Sequence, residues 1–372
     1  MKHRLLILWM IVSASLIENI SAQVTTTAVP FLTIAPNSRA SGMGEAGVAL
    51  ADDAWASFWN PAGYAFQHGS DIAINYAQWQ PAFDLGDVWI AHTIYKQQIE
   101  QLDGTISAGF TYLNHGDIAR TENDPTVLEM FKSYEWALTA GYATQLSSVV
   151  GIGLNVRYIQ SAISPVGSSQ VLGKGIASGL GLDIGMIYKP QSFFIPFVSR
   201  NFGERFRLGI NLSNIGPKIT YIDKSKADPI PMNLRIGFAF KFLKSKENNI
   251  TFITDFNRLL VKRRNAGTDK FYEAIVTSWS GKTIGEQFRE FVTGMGLEYW
   301  YGSPSLFALR SGYFYEDPSN GNRKFFTFGG GVRINAYGFD FSYIAASQKD
   351  HPLGGTLRFS LLVSWDSYNT QF

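Results

Sequence analysis

Five histidines are the first side chains to examine for chemistry: His3, His68, His92, His115 and His351. No two stand at a spacing such as i, i+4 that would aim both at one metal ion, so each reads as a structural or surface residue. The chain has no cysteine, which removes thiolate catalysis, disulfide bonding and lipid attachment at a cleavage-site cysteine. Gly173-Lys174-Gly175 and Gly329-Gly330-Gly331 would cradle a phosphate only where a strand leads into a helix. Neither run is placed that way, and both read as lumen-facing barrel glycines. No Gly-x-Ser-x-Gly turn opens a helix as a nucleophile elbow must. Binding residues are better represented: Lys262, Arg263 and Arg264 precede Phe271, Tyr272 and Trp279 in one polar stretch. Aromatics beside arginine are common anchors of protein interfaces, and the same cations suit the phosphates of a lipopolysaccharide surface. The expectation is a protein that binds, with no catalytic centre, metal or cofactor.

The elements that position these residues begin at the N-terminus. Lys2, His3 and Arg4 precede an apolar run, Leu5 to Ile17, that Glu18-Asn19 ends short of the roughly 20 residues a membrane span needs. With the small residues Ser21-Ala22 following, residues 1–22 read as a secretory signal peptide cleaved near Ala22. The rest has no comparable apolar stretch. Aromatics make up 15% of the chain, with 28 Phe and 17 Tyr beside 36 Gly, and charged residues only 17%, below the quarter or so usual for a globular domain. The net charge of +2 gives no reason to expect nucleic acid as a partner. No linker divides the chain.

Period-two alternation fills most of it. Leu357, Phe359, Leu361, Val363 and Trp365 share one face, opposite Thr356, Arg358, Ser360 and Ser364. Phe206, Leu208, Ile210 and Leu212 stand opposite Arg205, Arg207, Gly209 and Asn211. Leu234, Ile236, Phe238, Phe240 and Phe242 stand opposite Asn233, Arg235, Gly237 and Lys241. Similar segments run from Ile152 to Tyr158, Leu180 to Tyr188, Phe291 to Tyr301, Phe307 to Tyr315, Phe326 to Ile334 and Phe339 to Tyr343. The apolar faces are large, with aromatics near segment ends. The opposite faces carry glycine and isolated charges of both signs (Arg157, Asp183, Arg235, Glu298, Arg310, Arg333, Asp340, Arg358), which suits a polar lumen inside a lipid-facing wall. A soluble sandwich would place its charge on the outside instead.

The chain is therefore expected to be all-β: an antiparallel transmembrane barrel of about fourteen strands over residues 71–372, in the outer membrane of a Gram-negative bacterium. Gln145-Leu146-Ser147, Gly302-Ser303-Pro304 and Asn335 to Gly338 read as tight periplasmic turns. Asn114 to Leu128, Ser161 to Leu172, Ile215 to Pro231 and Val261 to Glu290 read as external loops. Residues 23–70 read as a plug in the periplasmic mouth. Small residues from Ser41 to Ser57 suggest a short helix, closed by a turn at Asn60, Pro61, Ala62 and Gly63.

The plug segment resembles the hatch of FadL-like barrels, from Phe31-Leu-Thr-Ile-Ala-Pro-Asn-Ser-Arg-Ala through Gly42-Met-Gly-Glu-Ala-Gly-Val-Ala to Trp59-Asn-Pro-Ala. More narrowly the chain resembles the PorV family of the Bacteroidetes type IX secretion system. The likeness continues through Asn214-Ile-Gly-Pro-Lys-Ile-Thr-Tyr, Asp255-Phe-Asn-Arg-Leu-Leu-Val, Arg310-Ser-Gly-Tyr-Phe-Tyr-Glu and Asp340-Phe-Ser-Tyr-Ile to Thr356-Leu-Arg-Phe-Ser. The loop from Lys262 to Glu290 departs from the family pattern. The resemblance implies a non-catalytic shuttle that binds the C-terminal signal domain of secreted cargo. It would carry cargo from the translocon to a sortase-type attachment complex at the surface. A FadL-like channel for hydrophobic solutes is the alternative, with Ile187, Val292, Trp300, Phe325, Ile344 and Leu362 available to line a pocket.

Overall fold

A computed structural model of the chain describes residues 27–83, 87–121, 124–164, 174–194, 201–223, 226–264, 267–346, 348 and 351–365. The segment read as a signal peptide and the segment Asp366 to Phe372 lie outside them. The first seven strands are β1 (Ser70–Gln78), β2 (Trp89–Ile99), β3 (Gly104–Arg120), β4 (Glu129–Ser147), β5 (Val150–Ser164), β6 (Gly175–Tyr188) and β7 (Phe206–Ile215). The second seven are β8 (Asn233–Lys244), β9 (Asn248–Leu259), β10 (Val292–Tyr301), β11 (Phe307–Tyr315), β12 (Lys324–Ile334), β13 (Tyr337–Ala346) and β14 (Leu357–Trp365). Among the described residues these fourteen form one closed antiparallel barrel in which each strand pairs with its sequence neighbours and β14 pairs back to β1, from Ser70↔Trp365 to Ala77↔Arg358. Closure satisfies the backbone that lipid cannot hydrogen-bond. No helix among the described residues is long and apolar enough to cross a membrane; the strands cross it.

The alternation seen in the sequence is the alternation of lipid and lumen. Along β14, Leu357, Phe359 and Leu361 are exposed while Arg358 and Ser360 are buried. The eight lumen-facing charges from Arg157 to Arg358 turn inward as expected, Arg333 at the rim and the other seven buried. Aromatic ladders mark both interfaces. Tyr76, Trp89, Tyr112 and Tyr134 follow one another with ring centroids 6.0, 5.4 and 6.0 Å apart towards one rim. Tyr301 and Phe307 lie 5.1 Å apart at the other.

Short turns identify the periplasmic rim, and four details differ from the sequence reading. Gln145–Ser147 is not the turn: β4 continues through it with a register shift, and the chain reverses at 148–149. β3 and β5 run on to Arg120 and Ser164, into segments read as loops, because cross-strand pairing outlasts the apolar alternation there. One periplasmic connection is long, residues 189–205 between β6 and β7. Of the three consecutive glycines in β12, Gly329 and Gly331 face the lumen, but strand periodicity turns Gly330 outward, against the ring of Phe341.

The plug carries short helices rather than one continuous helix. Single-turn helices at Ser38–Ser41 (α1) and Ala56–Trp59 (α2) flank a coil, in which Gly44, Glu45 and Ala51 adopt positive φ. The small side chains serve packing rather than helix propensity: Ala46, Val48, Ala54, Ala56 and Ala62 are fully buried. The plug also reaches further than the periplasmic mouth. Its start packs under the outer loops, with Phe31 in one cluster with Ile219 and Ile230 and the Ala28 amide bonded to the Pro229 carbonyl at 2.9 Å.

Among the described residues the wall has one seam. β6 and β7 pair from Tyr188↔Leu208 to Leu182↔Ile215, with a bulge at Asp183 where Asn214 adopts φ 57°. Above it, Gly175–Gly181 has no strand on that side among the described residues. Described residues of the connection 216–232 lie there instead, with Ile219 against Gly179 and Ile230 against Gly181.

Candidate functional site

The plug is fixed to the wall by residues chosen for what the lumen leaves unsatisfied. Asn60 is fully buried. Its side-chain amide donates to the carbonyls of Val48 (3.2 Å), Met186 (3.0 Å) and Ile210 (3.3 Å), and its oxygen accepts from the Ala62 amide (3.2 Å). One side chain thus joins the plug to β6 and β7 and starts the 3-10 turn Pro61–Phe66, where proline fixes the first φ. Glycine is required opposite it: a Cβ on Gly185 would strike the Asn60 oxygen, and one on Gly153 would strike the backbone of Pro61 and Ala62. Elsewhere the Asp255 carboxylate accepts from the amides of Gly47 (2.6 Å) and Val48 (2.9 Å).

A chain of buried charges crosses the lumen. Arg39 of the plug contacts Asp52 (2.7 Å), Asp53 (3.2 Å) and, through two nitrogens, Glu298 on β10 (2.7 and 2.8 Å). Glu298 also receives Arg310 of β11 (2.8 Å), which reaches Asp340 of β13 (2.7 Å), which in turn receives Arg333 of β12 (2.7 Å). A second group joins Arg157 of β5 to Asp183 of β6 at 2.9 Å and to Asn214. A third joins Arg358 of β14 to Glu45 at 3.1 Å and to Ser41. Buried ions persist only when partnered, so these groups both hold the plug and fill the lumen with polar contacts.

The apolar residues expected to line a ligand pocket are used up in the same way. Ile187 and Leu362 pack against the plug. Phe325 stacks on Phe314 at 4.6 Å and joins Ile344, with Val292 against them. Trp300 lies 5.3 Å from the guanidinium groups of both Arg310 and Arg333. The cavities beside Phe31 and Trp55 and beside Glu45 and Arg235 measure about 40 Å³ and about 130 Å³, and a larger one of about 600 Å³ opens at the periplasmic end beside Lys189, Arg207, Lys241 and Trp300. A small-molecule site usually offers 300 Å³ or more.

The outer loop 260–291 is structured. It carries α3 (Phe271–Thr277) and α4 (Ile284–Arg289), the latter closed by reciprocal bonds between Thr283 and Glu286. Six residues in this loop were expected to meet a partner, and the structure divides them. Arg263, Tyr272 and Trp279 are exposed. Phe271 turns into the loop's own small core with Met232 and Leu260. Lys262 donates to the Ser280 carbonyl at 2.8 Å. Arg264 is committed to Asp269, which also accepts from Thr277 at 2.7 Å. The Arg264 guanidinium holds the Asp269 carboxyl down at about 2. Three exposed apolar residues were missed: Val276 (72% exposed), Ile284 (78%) and Phe288 (71%). Their signal is the i, i+4 spacing of Tyr272 with Val276 and of Ile284 with Phe288 on short helices. Trp279 stacks beneath Arg258, whose guanidinium lies 3.8 Å from the ring.

The family model described as type IX secretion system protein PorV matches residues 17–265. The chain belongs to the PorV family. The match ends just before α3, so the exposed helices lie beyond it. No curated protein matches the sequence. Among solved structures, the Pseudomonas putida toluene transporter TodX covers 90% of this chain and 100% of its own at 12% identity, with a TM-score of 0.52. The Ralstonia pickettii toluene transporter TbuX covers 89% and 99% at 12% identity, with a TM-score of 0.50. These likenesses establish a FadL-like fold. Together the family and the fold place this PorV-family barrel in the outer membrane as a component of type IX secretion.

The histidines remain scattered, and no group of metal-ligating side chains occurs among the described residues. His92 lies in the lumen, His68 meets Gln98 at 3.1 Å and His115 meets Glu135 at 3.1 Å.

Proposed function

We propose that this PorV-family barrel is a non-catalytic protein shuttle that works from its outer surface. It would bind the C-terminal signal domain of cargo leaving the type IX translocon and pass it to a sortase-type complex for release or attachment. The observation that carries this reading is the contrast between inside and outside. The middle of the lumen is occupied by a bonded plug, with cavities of only about 40 and about 130 Å³ beside it, while loop 260–291 presents Tyr272, Val276, Ile284 and Phe288 to water. Exposed apolar residues on ordered helices lose free energy in water that a protein partner restores by covering them, and aromatic residues are typical anchors. Arg263 adds an exposed cation of the basic cluster, suited to lipopolysaccharide phosphates.

One observation favours a second reading, a channel for hydrophobic solutes as in the toluene transporters that share the fold. The seam above Leu182 is closed by a connection rather than by a strand. A channel needs a ligand-sized pocket behind its exit, and the space behind this seam holds Phe31, Ile159, Ile219 and Ile230 in one packed cluster. The shuttle reading accounts for more of the molecule.

The test is capture from detergent-solubilised outer membranes by a tagged barrel carrying Tyr272→Ala, Val276→Ser, Ile284→Ser and Phe288→Ala. Capture of translocon or cargo is expected to fall at least tenfold, with barrel folding unchanged by heat-dependent gel mobility. Undiminished capture would remove this loop from the reading.

A further inference from the structure

Three outer loops enclose a cavity of about 410 Å³ that neither the shuttle reading nor the channel reading uses. They are the connections from β1 to β2, from β11 to β12 and from β13 to β14. The first contributes Trp79 and Gln80 to the lining, the second Asn322 and Arg323, and the third Gln348 and His351. The volume falls within the roughly 300–1,000 Å³ of small-molecule sites.

Two of the walls are held in place by their own bonds. In the connection after β11, the Glu316 amide donates to the Arg323 carbonyl at 2.9 Å, and the Arg323 guanidinium grips the Glu316 carboxylate at 2.7 and 3.0 Å. A Cβ on Gly321 would strike that carboxylate, so glycine is required where the chain turns over it at φ 133°. Asn322 follows at φ 58°. In the connection after β13, the His351 carbonyl accepts from the Gly354 amide at 2.8 Å, and its Nδ1 accepts from the Leu353 amide at 3.1 Å. The His351 ring meets Phe325 edge-on at 5.7 Å.

These contacts fix what the lining offers. Burial and the neighbouring Arg323 push the His351 imidazole below its ordinary pKa, so the ring is neutral. With Nδ1 accepting, its proton sits on Nε2. That donor and the Asn322 Oδ1 acceptor are buried and have no partner among the described residues. Leaving either unmet costs free energy that a hydroxyl group, donor and acceptor at once, recovers. The carboxamides of Gln80, Asn322 and Gln348 also both donate and accept. Among the described residues of the lining, no carboxylate occurs, and the one cation, Arg323, already has its anion in Glu316. The indole of Trp79 and the side chain of Leu353 add apolar surface. An aromatic hydrocarbon would leave the carboxamides unmet, and an anion would have to compete with Glu316. Many hydroxyl groups, no net charge and apolar C–H faces describe a sugar.

We propose that this outer cavity is a binding site for a neutral saccharide unit, its hydroxyls met by Gln80, Asn322, Gln348 and His351 and its apolar face by Trp79. The saccharide belongs either to the lipopolysaccharide around the barrel or to a soluble glycan at the cell surface.

The experiment uses the full-length barrel in a polyoxyethylene detergent, which has no sugar headgroup. Glucose, galactose, mannose, rhamnose, N-acetylglucosamine and maltose are each titrated, with binding read by saturation-transfer NMR. At least one is expected to bind saturably, with affinity weakened at least fivefold in Asn322→Gly and in Gln348→Ala. Gln348 is exposed, so that variant keeps the test decisive if Asn322→Gly fails to fold. No saturable binding by any of these sugars, or equal affinity in a folded variant, would overturn the proposal. Repeating the titration in nanodiscs with and without lipopolysaccharide of full sugar length separates the sources. Binding lost in its presence assigns the site to lipopolysaccharide, and undiminished binding assigns it to a soluble glycan.

Discussion

Glu298 shows how much rests on single residues. It is the one carboxylate between Arg39 of the plug and Arg310 of the wall, contacting both at under 3 Å. The substitution Glu298→Gln keeps the size and loses the charge, leaving two guanidinium groups partly uncompensated in a buried site. Breaking a buried ion pair from one side costs about 3–5 kcal/mol, so the variant should unfold at a clearly lower temperature, read by the gel shift of the heated barrel. An unchanged transition would mean that the charge chain does not hold the plug. The sequence showed which of these residues face the lumen, because period two sorts them. It did not show who meets whom, since Arg39 and Glu298 are 259 positions apart and nothing local encodes that pairing.

At the scale of elements, strands were legible and the plug and outer loop less so. A strand's alternation is a local consequence of two solvents on two faces. The plug lies inside and meets protein on all sides, so it has no such period; its alanines and glycines suggested a helix where the fold needed close packing in a bent coil. In loop 260–291, Thr283 and Glu286 spell a capping box that the reading of this stretch as a loop passed over, and a six-residue helix carries too little periodicity to show which face is bare. The Arg264–Asp269–Thr277 contacts that hold this loop have a testable acid limit. Asp269 titrates below its ordinary value of 3.8, at about 2. Its contribution is therefore complete above about pH 4 and is lost as the pH falls through about 2. Digestion by an acid-active protease should cut the loop slowly at pH 4 and rapidly near pH 2, and Asp269→Asn should make it labile at both. Equal cleavage of the two proteins at pH 4 would contradict the role given to this carboxylate.

The whole molecule divides its surface between four environments. Lipid meets the aliphatic and aromatic faces of fourteen strands, and the lumen is closed by a plug that shares buried ions with the wall. The outer rim presents short apolar helices, and the periplasmic rim opens into a cavity. The account's central claim is that the outer end serves protein secretion. The most direct measurement compares surface and culture-medium proteins from cells with and without this gene. The account predicts that proteins bearing the C-terminal signal domain accumulate in the periplasm, or remain with the translocon, when the barrel is missing. Normal export, with failed uptake of a hydrophobic compound instead, would contradict it.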